Sequence, residues 1–146
     1  MSTRVNIQQT FPDAWKGMYA LSGSLAKINI SPIQKELIKI RASQLNSCAF
    51  CLDMHTKDAL KAGETAQRIF LTNAWRETDL FSDEERAILA LTEEVTLISQ
   101  RGLTEETYAA VAKFFDAETI AHIIMAVVVI NAWNRIAVST HLQLPK

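Results

Sequence analysis

Residues that interrupt helices are scarce in this chain, and that scarcity limits the folds open to it. Four glycines and three prolines occur among 146 residues, whereas a β-sandwich needs turn residues at short intervals. Alanine, leucine, isoleucine, glutamate and lysine are abundant instead. The composition therefore predicts an all-α fold.

The length of the chain suits a single domain over residues 1–146. A chain of this size buries ~70% of the surface that its unfolded form exposes, which is enough for a real core. Hydrophobic residues make up 49% and charged residues 21% of the sequence, the balance of a globular protein.

The net charge and the hydropathy of the sequence argue against nucleic acid and against membranes as partners. The formal net charge of −1 leaves no basic surplus for phosphates, so nucleic-acid binding is not expected. The first ten residues have no apolar stretch of the secretory kind, so we expect a cytoplasmic protein. The most apolar run, Ile123 to Ile130, is far shorter than the roughly 20 residues of a membrane span. It predicts a buried core helix and no membrane association.

Helix-start signals recur along the chain and divide it into about seven helices. Ser31 to Gln34 and Ser82 to Glu85 read as capping boxes, with Pro32 at the first helical position. Single caps are predicted at Ser47, Thr104 and Asp116. The predicted helices cover approximately residues 11–29, 31–46, 48–63, 65–75, 82–99, 104–115 and 116–139.

The last of these helices is apolar around nearly its whole circumference from Ile120 to Ile130. Packing along one side of the helix cannot bury all of these side chains. We therefore expect the helix to press against a second copy of the chain, as in a homo-oligomer.

Two cysteines, a histidine and a glutamate occupy the predicted helical hairpin over about residues 31–63. Cys48 and Cys51 are the only cysteines, and His55 follows one turn after Cys51 on the same helix face. Glu36 lies about eleven positions before a turn near Ser47, nearly level with His55 across the hairpin. The spacing predicts contact between Glu36 and His55.

This set can form a proton relay that ends at a thiol. Glu36 would orient and polarise His55, and His55 would remove a proton from Cys51. The thiolate, rather than the thiol, is the nucleophile. Cys51 would attack a hydroperoxide oxygen and become a sulfenic acid, which Cys48 would convert to a disulfide. An external dithiol would then have to reduce that disulfide.

Two other interpretations of the cysteine pair stay open at the level of sequence. The thiols could be small buried core residues. Alternatively, both thiolates with His55 and Glu36 could ligate zinc, although structural zinc usually draws its ligands from separate segments. The prediction adopted here has no bound metal and no bound cofactor.

Glu36, Cys48-x-x-Cys51 and His55, at these spacings, resemble the signature of the AhpD-like family of alkylhydroperoxidases and carboxymuconolactone decarboxylases. The segments around them, Lys35 to Arg41 and His55 to Gly63, strengthen the resemblance. Phe81 to Ala87 and Asn131 to Arg135 resemble the small single-domain members, so the resemblance covers most of the chain.

The resemblance implies an AhpD-like helical bundle that assembles as trimers or hexamers. It also implies a peroxidase of peroxiredoxin type that reduces organic hydroperoxides and is recycled by a lipoyl-type or other dithiol protein. Cys51 would be the peroxidatic cysteine, Cys48 its partner, and Glu36 and His55 the relay. Some members carry histidine directly before the second cysteine, where this chain has Phe50, which implies a simpler proton path.

Two alternative functions remain. The disulfide could serve a non-enzymatic redox sensor or interaction protein whose assembly it controls. The chain could also be a lyase like the carboxymuconolactone decarboxylases, which do not depend on paired thiols. A sensor would consume about one peroxide per site, and a lyase would keep its activity without the thiols.

Overall fold

The computed structural model describes residues 4–145, and every regular element in that range is helical. The prediction of an all-α fold is therefore confirmed. The α-helices are α1 Ile7–Thr10, α2 Pro12–Ser24, α3 Pro32–Leu45, α4 Ala49–Lys61, α5 Ala66–Leu71, α6 Asp83–Thr96, α7 Ile98–Arg101, α8 Glu105–Ala112 and α9 Ala117–Thr140. Short 3₁₀ segments follow α2 at Leu25–Lys27 and α5 at Thr72–Glu77.

The predicted and observed helices differ mainly in where each helix begins and ends. The described range holds two more α-helices than predicted, because α1 and α7 are single turns of four residues, too short for periodicity to reveal. The first, fourth and fifth predicted helices stop being α-helical several residues before the predicted end. In the first and fourth, the chain tightens into 3₁₀ turns, which satisfy terminal carbonyl groups.

Most of the predicted caps are present. At Ser31 the hydroxyl accepts the Gln34 backbone N–H at 3.1 Å, and the Gln34 side chain accepts the Ser31 N–H at 2.8 Å. Ser82 forms the second capping box, and Thr104 and Asp116 cap α8 and α9. These contacts span three residues, which is why the sequence alone reveals them.

The predicted cap at Ser47 is wrong. Ser47 has a left-handed φ of 54° and forms the turn between α3 and α4. Cys48 is the cap, and its sulfur accepts the backbone N–H of Cys51 at 3.3 Å. The connection has only three residues between helices, so one of them must turn left-handed for the chain to reverse.

The main core lies between α3, α6 and α9. Its fully buried side chains include Ile38 of α3, Ile88 and Leu91 of α6, and Ile123 and Val127 of α9. The two cysteines belong to the same cluster. The start of α4 is therefore anchored in the main core.

Helix α9 is buried along one side, as predicted for its apolar stretch. By length and composition alone Ala117–Thr140 would suffice to cross a membrane, but 44% of its most apolar window is buried inside the protein. The core helix of a soluble protein passes the same test. Met125 and Val128 on this helix are 38% and 41% exposed, so part of its apolar surface is uncovered in one copy of the chain.

A polar network connects α9 to the turn that carries the cysteines. The Asn46 amide, at the end of α3, donates to the side-chain oxygens of Asn131 and Asn134, each at 2.9 Å. The Asn134 amide donates to the Ser43 hydroxyl at 3.0 Å. The Ser43 carbonyl in turn accepts the backbone N–H of Cys48 at 3.0 Å. These satisfied buried groups fix the turn relative to the core, because breaking one would leave its partner unpaired.

Candidate active site

The α3–α4 hairpin brings Glu36 and His55 together across nineteen residues of sequence. His55 Nδ1 and Glu36 Oε2 are 2.9 Å apart, and both residues are only 8% exposed. The helices are antiparallel neighbours joined by a short turn, so positions at similar distances from the turn lie nearly level. The contact predicted from spacing is present.

Glu36 is ionised at neutral pH because it accepts two charge-assisted hydrogen bonds. Its second oxygen contacts Lys39 Nζ at 2.6 Å. Burial by itself raises the pKa of Glu36, but the hydrogen bonds from His55 and Lys39, with the positive charge of Lys39, outweigh burial and hold the pKa below its ordinary value of 4.5. The carboxylate can therefore only accept hydrogen bonds.

The state of Glu36 decides where His55 carries its proton. Since the carboxylate has no proton to donate, Nδ1 must be the donor in the 2.9 Å contact. In a neutral imidazole the other nitrogen, Nε2, then holds the free lone pair. Within residues 4–145 no hydrogen bond occupies Nε2. His55 is thus oriented as a base.

Cys48 and Cys51 are joined in a disulfide, with Cα atoms 5.4 Å apart. The two residues are only 1% and 3% exposed, whereas their neighbours Ser47 and Ala49 are exposed. The disulfide therefore lies just below the surface of the turn. Cys51 precedes His55 by one helical turn, and in this oxidised form no hydrogen bond joins them among the described residues. A disulfide sulfur has no proton to give.

Two charged residues near the relay were missed by the sequence analysis. Lys39 lies one turn after Glu36 on α3, and Asp58 lies one turn after His55 on α4. Glu36, His55 and Asp58 each offer a ligand atom, all within 4.8 Å of one another. The signal for both was the spacing of three residues, which places side chains on the same helix face.

An open cavity of about 410 Å³ adjoins the carboxylate end of the relay. Its walls are made by residues of α3 and the end of α4: Pro32, Lys35, Glu36, Asp58, Lys61 and Ala62. The relay is thus reached by solvent from the side of Glu36. Phe50, which stands where some relatives have histidine, is partly buried against the main core.

Comparison with known proteins identifies the family. The sequence model of the carboxymuconolactone decarboxylase family matches residues 10–94, more than half of the chain. The chain belongs to the carboxymuconolactone decarboxylase family. It is also 42% identical over 139 residues, 95% of each chain, to YdfG of Bacillus subtilis strain 168, an uncharacterized protein. The matched range contains Glu36, Cys48, Cys51 and His55, so all four site residues lie in the family's shared region.

Solved structures of similar shape include several AhpD-like proteins. ATU0492 from Agrobacterium tumefaciens, a protein of unknown function proposed to be the antioxidant defence protein AhpD, has a TM-score of 0.95 at 36% identity, with 99% of each chain covered. An uncharacterized peroxidase-related protein from Ralstonia eutropha JMP134, described as an alkylhydroperoxidase AhpD core, has a TM-score of 0.84 at 17% identity, over 95% of this chain and 74% of that one. The AhpD-like fold predicted from the sequence is confirmed.

The fold also occurs in an enzyme with different chemistry. The debrominase Bmp8, solved in complex with 2,3,4-tribromopyrrole, has a TM-score of 0.82 at 16% identity, over 94% of this chain and 74% of its own. Proteins with peroxidase-related and debrominase names thus share this fold, and the family that the chain matches is named for a decarboxylase. The fold by itself does not choose among them, so function must be argued from the side chains of the site.

Acid is expected to remove a stabilising contribution of Glu36 in this member of the carboxymuconolactone decarboxylase family. The folded-state pKa lies below the unfolded value of 4.5, so the contribution is fully present above that value. It is lost as the pH falls through the folded-state pKa, because the unfolded chain then binds more protons. In urea titrations below about pH 4.5, the free energy of unfolding should fall more steeply for wild type than for Glu36→Gln.

An exposed glutamate supplies the control for this experiment. Glu77→Gln removes a carboxylate from the surface of the 3₁₀ segment after α5. The free energy of unfolding of this variant should change with pH in the same way as that of wild type. Parallel curves for wild type and Glu36→Gln across the same range would contradict the prediction.

Proposed function

We propose that this protein is a thiol-dependent peroxidase that reduces organic hydroperoxides through Cys51 and Cys48. The observation that carries the proposal is the Glu36 to His55 hydrogen bond at 2.9 Å, one helical turn from a disulfide-forming cysteine pair. A pair of structural cysteines needs no ionised glutamate and oriented histidine beside it. A nucleophilic thiol does need a base with a free lone pair.

The reaction begins with the reduced form. His55 Nε2 takes the proton of Cys51, and the thiolate attacks the distal oxygen of the hydroperoxide. The O–O bond breaks, the leaving alkoxide receives the proton as an alcohol, and Cys51 becomes a sulfenic acid. Cys48 then attacks the Cys51 sulfur, water leaves, and the disulfide forms. One hydroperoxide and two thiols yield one alcohol, one water and one disulfide.

The roles of the two cysteines follow from their positions. Cys51 is in α4, in register with His55, whereas Cys48 is the cap that precedes the helix. The Cα separation of 5.4 Å is ordinary for a disulfide, so Cys48 can close the bond with little movement of the backbone. Cys51 is the attacking thiol and Cys48 the resolving thiol.

The cycle requires an external reductant and involves no bound cofactor. A dithiol of the lipoyl type is a suitable donor, since one molecule of it can reduce one disulfide through a mixed-disulfide intermediate. The exposed turn at Ser47 and Ala49 is where such a donor would approach. The protein acts in the cytoplasm, where such donors are kept reduced.

The active form is a homo-oligomer, a trimer or a hexamer. Support comes from apolar side chains that remain uncovered in one copy. Met125, Val128 and Val138 of α9 are each more than a third exposed. Helix α2 has no buried residue; Phe11, directly before it, is 62% exposed and Tyr19 within it is 61% exposed. Uncovered apolar surface of this kind is typical of contacts between subunits.

Steady-state turnover tests the proposal. Wild type is supplied with cumene hydroperoxide and dihydrolipoamide, and the alcohol product is measured per active site. We expect many alcohols per site, with only background production by the Cys48→Ser/Cys51→Ser double variant. Consumption of about one peroxide per site, followed by arrest although dihydrolipoamide is present, would favour the redox sensor instead.

A further inference from the structure

The Glu36, His55 and Asp58 side chains form a cluster with more acidic groups than a proton relay needs. Their ligand atoms lie within 4.8 Å of one another, and they come from two helices that the short turn holds together. Glu36 and His55 are buried, and Asp58 is partly buried. Asp58 plays no part in the thiol chemistry, so its position beside the relay calls for another account.

We propose that Glu36, His55 and Asp58 bind a divalent transition-metal ion, zinc in particular, and that the bound ion blocks the relay. One imidazole and two carboxylates are donors that zinc accepts, and three protein ligands leave a fourth position for water. The adjoining cavity of about 410 Å³, lined by Glu36 and Asp58, offers room for that water. Two carboxylates also balance the charge of the ion.

The geometry requires only small adjustments. Zinc holds nitrogen and oxygen ligands at about 2.0–2.2 Å, so the ligand atoms of a tetrahedral site lie about 3.3–3.5 Å apart. Glu36 Oε2 and His55 Nδ1, now 2.9 Å apart, would separate slightly. Asp58, which is partly exposed near the end of α4, would rotate toward them.

Two lysines now neutralise the cluster and must give way to the ion. Lys39 Nζ is 2.6 Å from Glu36, and Lys61 Nζ is 3.3 Å from Asp58. Both are neighbours on the same helix as their partners, and the Lys61 side chain is 78% exposed. The exposed Lys61 to Asp58 pair contributes little, so its ammonium group can turn into solvent. Lys39 competes directly with the ion for the buried Glu36 carboxylate. Removing a lysine should therefore tighten metal binding.

Metal binding would change the tautomer of His55. An ion on Nδ1 replaces the proton that this nitrogen now donates to Glu36. The neutral ring then carries its proton on Nε2, and Nε2 can no longer accept one from Cys51. Inhibition of the peroxidase rests on the proposed function, whereas metal binding and the tautomer change do not depend on it.

Calorimetric titration with zinc chloride tests the site in the full chain, without an affinity tag. The protein is kept in its disulfide form, so that the thiolates cannot act as ligands. We expect one zinc per chain in wild type. Asp58→Asn should weaken binding by at least about tenfold because it removes a ligand charge, whereas Lys39→Gln should tighten it by several-fold because it removes a competing cation.

Opposite changes in zinc affinity in these two variants would distinguish a specific site formed by these side chains from weak binding at the surface. The control variants His122→Ala and His141→Ala remove the other histidines and should bind zinc like wild type. In ¹⁵N spectra of the imidazole nitrogens, zinc should move the His55 proton from Nδ1 to Nε2. Equal affinities in wild type, Asp58→Asn and Lys39→Gln, or an unchanged His55 tautomer at saturating zinc, would overturn the proposal.

Discussion

Cys51→Ser is expected to reduce the first reaction with an organic hydroperoxide to the uncatalysed background, a loss of roughly 10³-fold or more. The variant keeps Cys48, but that thiol caps α4 and is not in register with His55. Replacing sulfur by oxygen removes the nucleophile with little change in volume. The measurement is stopped-flow consumption of cumene hydroperoxide by the pre-reduced variant, with no dithiol present.

Cys48→Ser should behave differently, and the contrast is the main test of the assignment. It should consume one hydroperoxide per site at a rate near that of wild type, because Cys51 and the relay are intact. The sulfenic acid would then persist, and mass spectrometry should find a dimedone adduct on Cys51. Since the chain contains only these two cysteines, the variant has no second thiol in the same chain to resolve the intermediate. A dimedone adduct on Cys48 in the Cys51→Ser variant, with fast peroxide consumption, would reverse the two roles.

His55→Gln is expected to slow the same step by about 10²–10³-fold at neutral pH, because general-base catalysis commonly contributes that much. Glutamine preserves much of the volume and can still donate to Glu36, but it has no nitrogen lone pair to accept the thiol proton. Glu36→Gln should have a smaller effect in the same direction, because the base then loses its orienting carboxylate but not its lone pair.

The pH profile distinguishes loss of the base from a general structural defect. In His55→Gln the rate should rise until the thiol ionises by itself, which free cysteine does near pH ~8.5. The deficit relative to wild type should therefore shrink toward alkaline pH. His122→Gln, at a partly buried histidine of α9, serves as the matched control and should follow wild type. A deficit in His55→Gln that stays constant across the pH range would contradict the relay.

The Glu36 to His55 contact could be predicted because it depends on local regularities. Helix rise per residue and the position of a turn determine which residues are level across a hairpin. The position of the turn could be predicted because the sequence signals for the end of α3 and the start of α4 lie within a few residues of each other. The error at Ser47 did not disturb this prediction, since moving the cap to Cys48 shifts the register by only one position.

The setting of the thiols could not be predicted in the same way. The two cysteines are almost fully buried because they belong to a core cluster that also contains residues of α6 and α9, helices far from α4 in sequence. The turn is held by Asn46 through partners 85 and 88 residues away, Asn131 and Asn134. The sequence shows these residues only as polar positions, and nothing local indicates which of them meet.

The helical class, most of the caps and the alignment of Glu36 with His55 across the hairpin could all be predicted from the sequence. Each of these depends on interactions within a helix turn or across one short connection. Three features became visible only in the folded chain: the burial of the disulfide, the anchoring of its turn by α9, and the cavity beside Glu36 and Asp58. The first two features arise where helices distant in sequence pack together, and such packing depends on many side chains at once. The cavity lies within the hairpin, where the side chains of α3 and the end of α4 determine its shape.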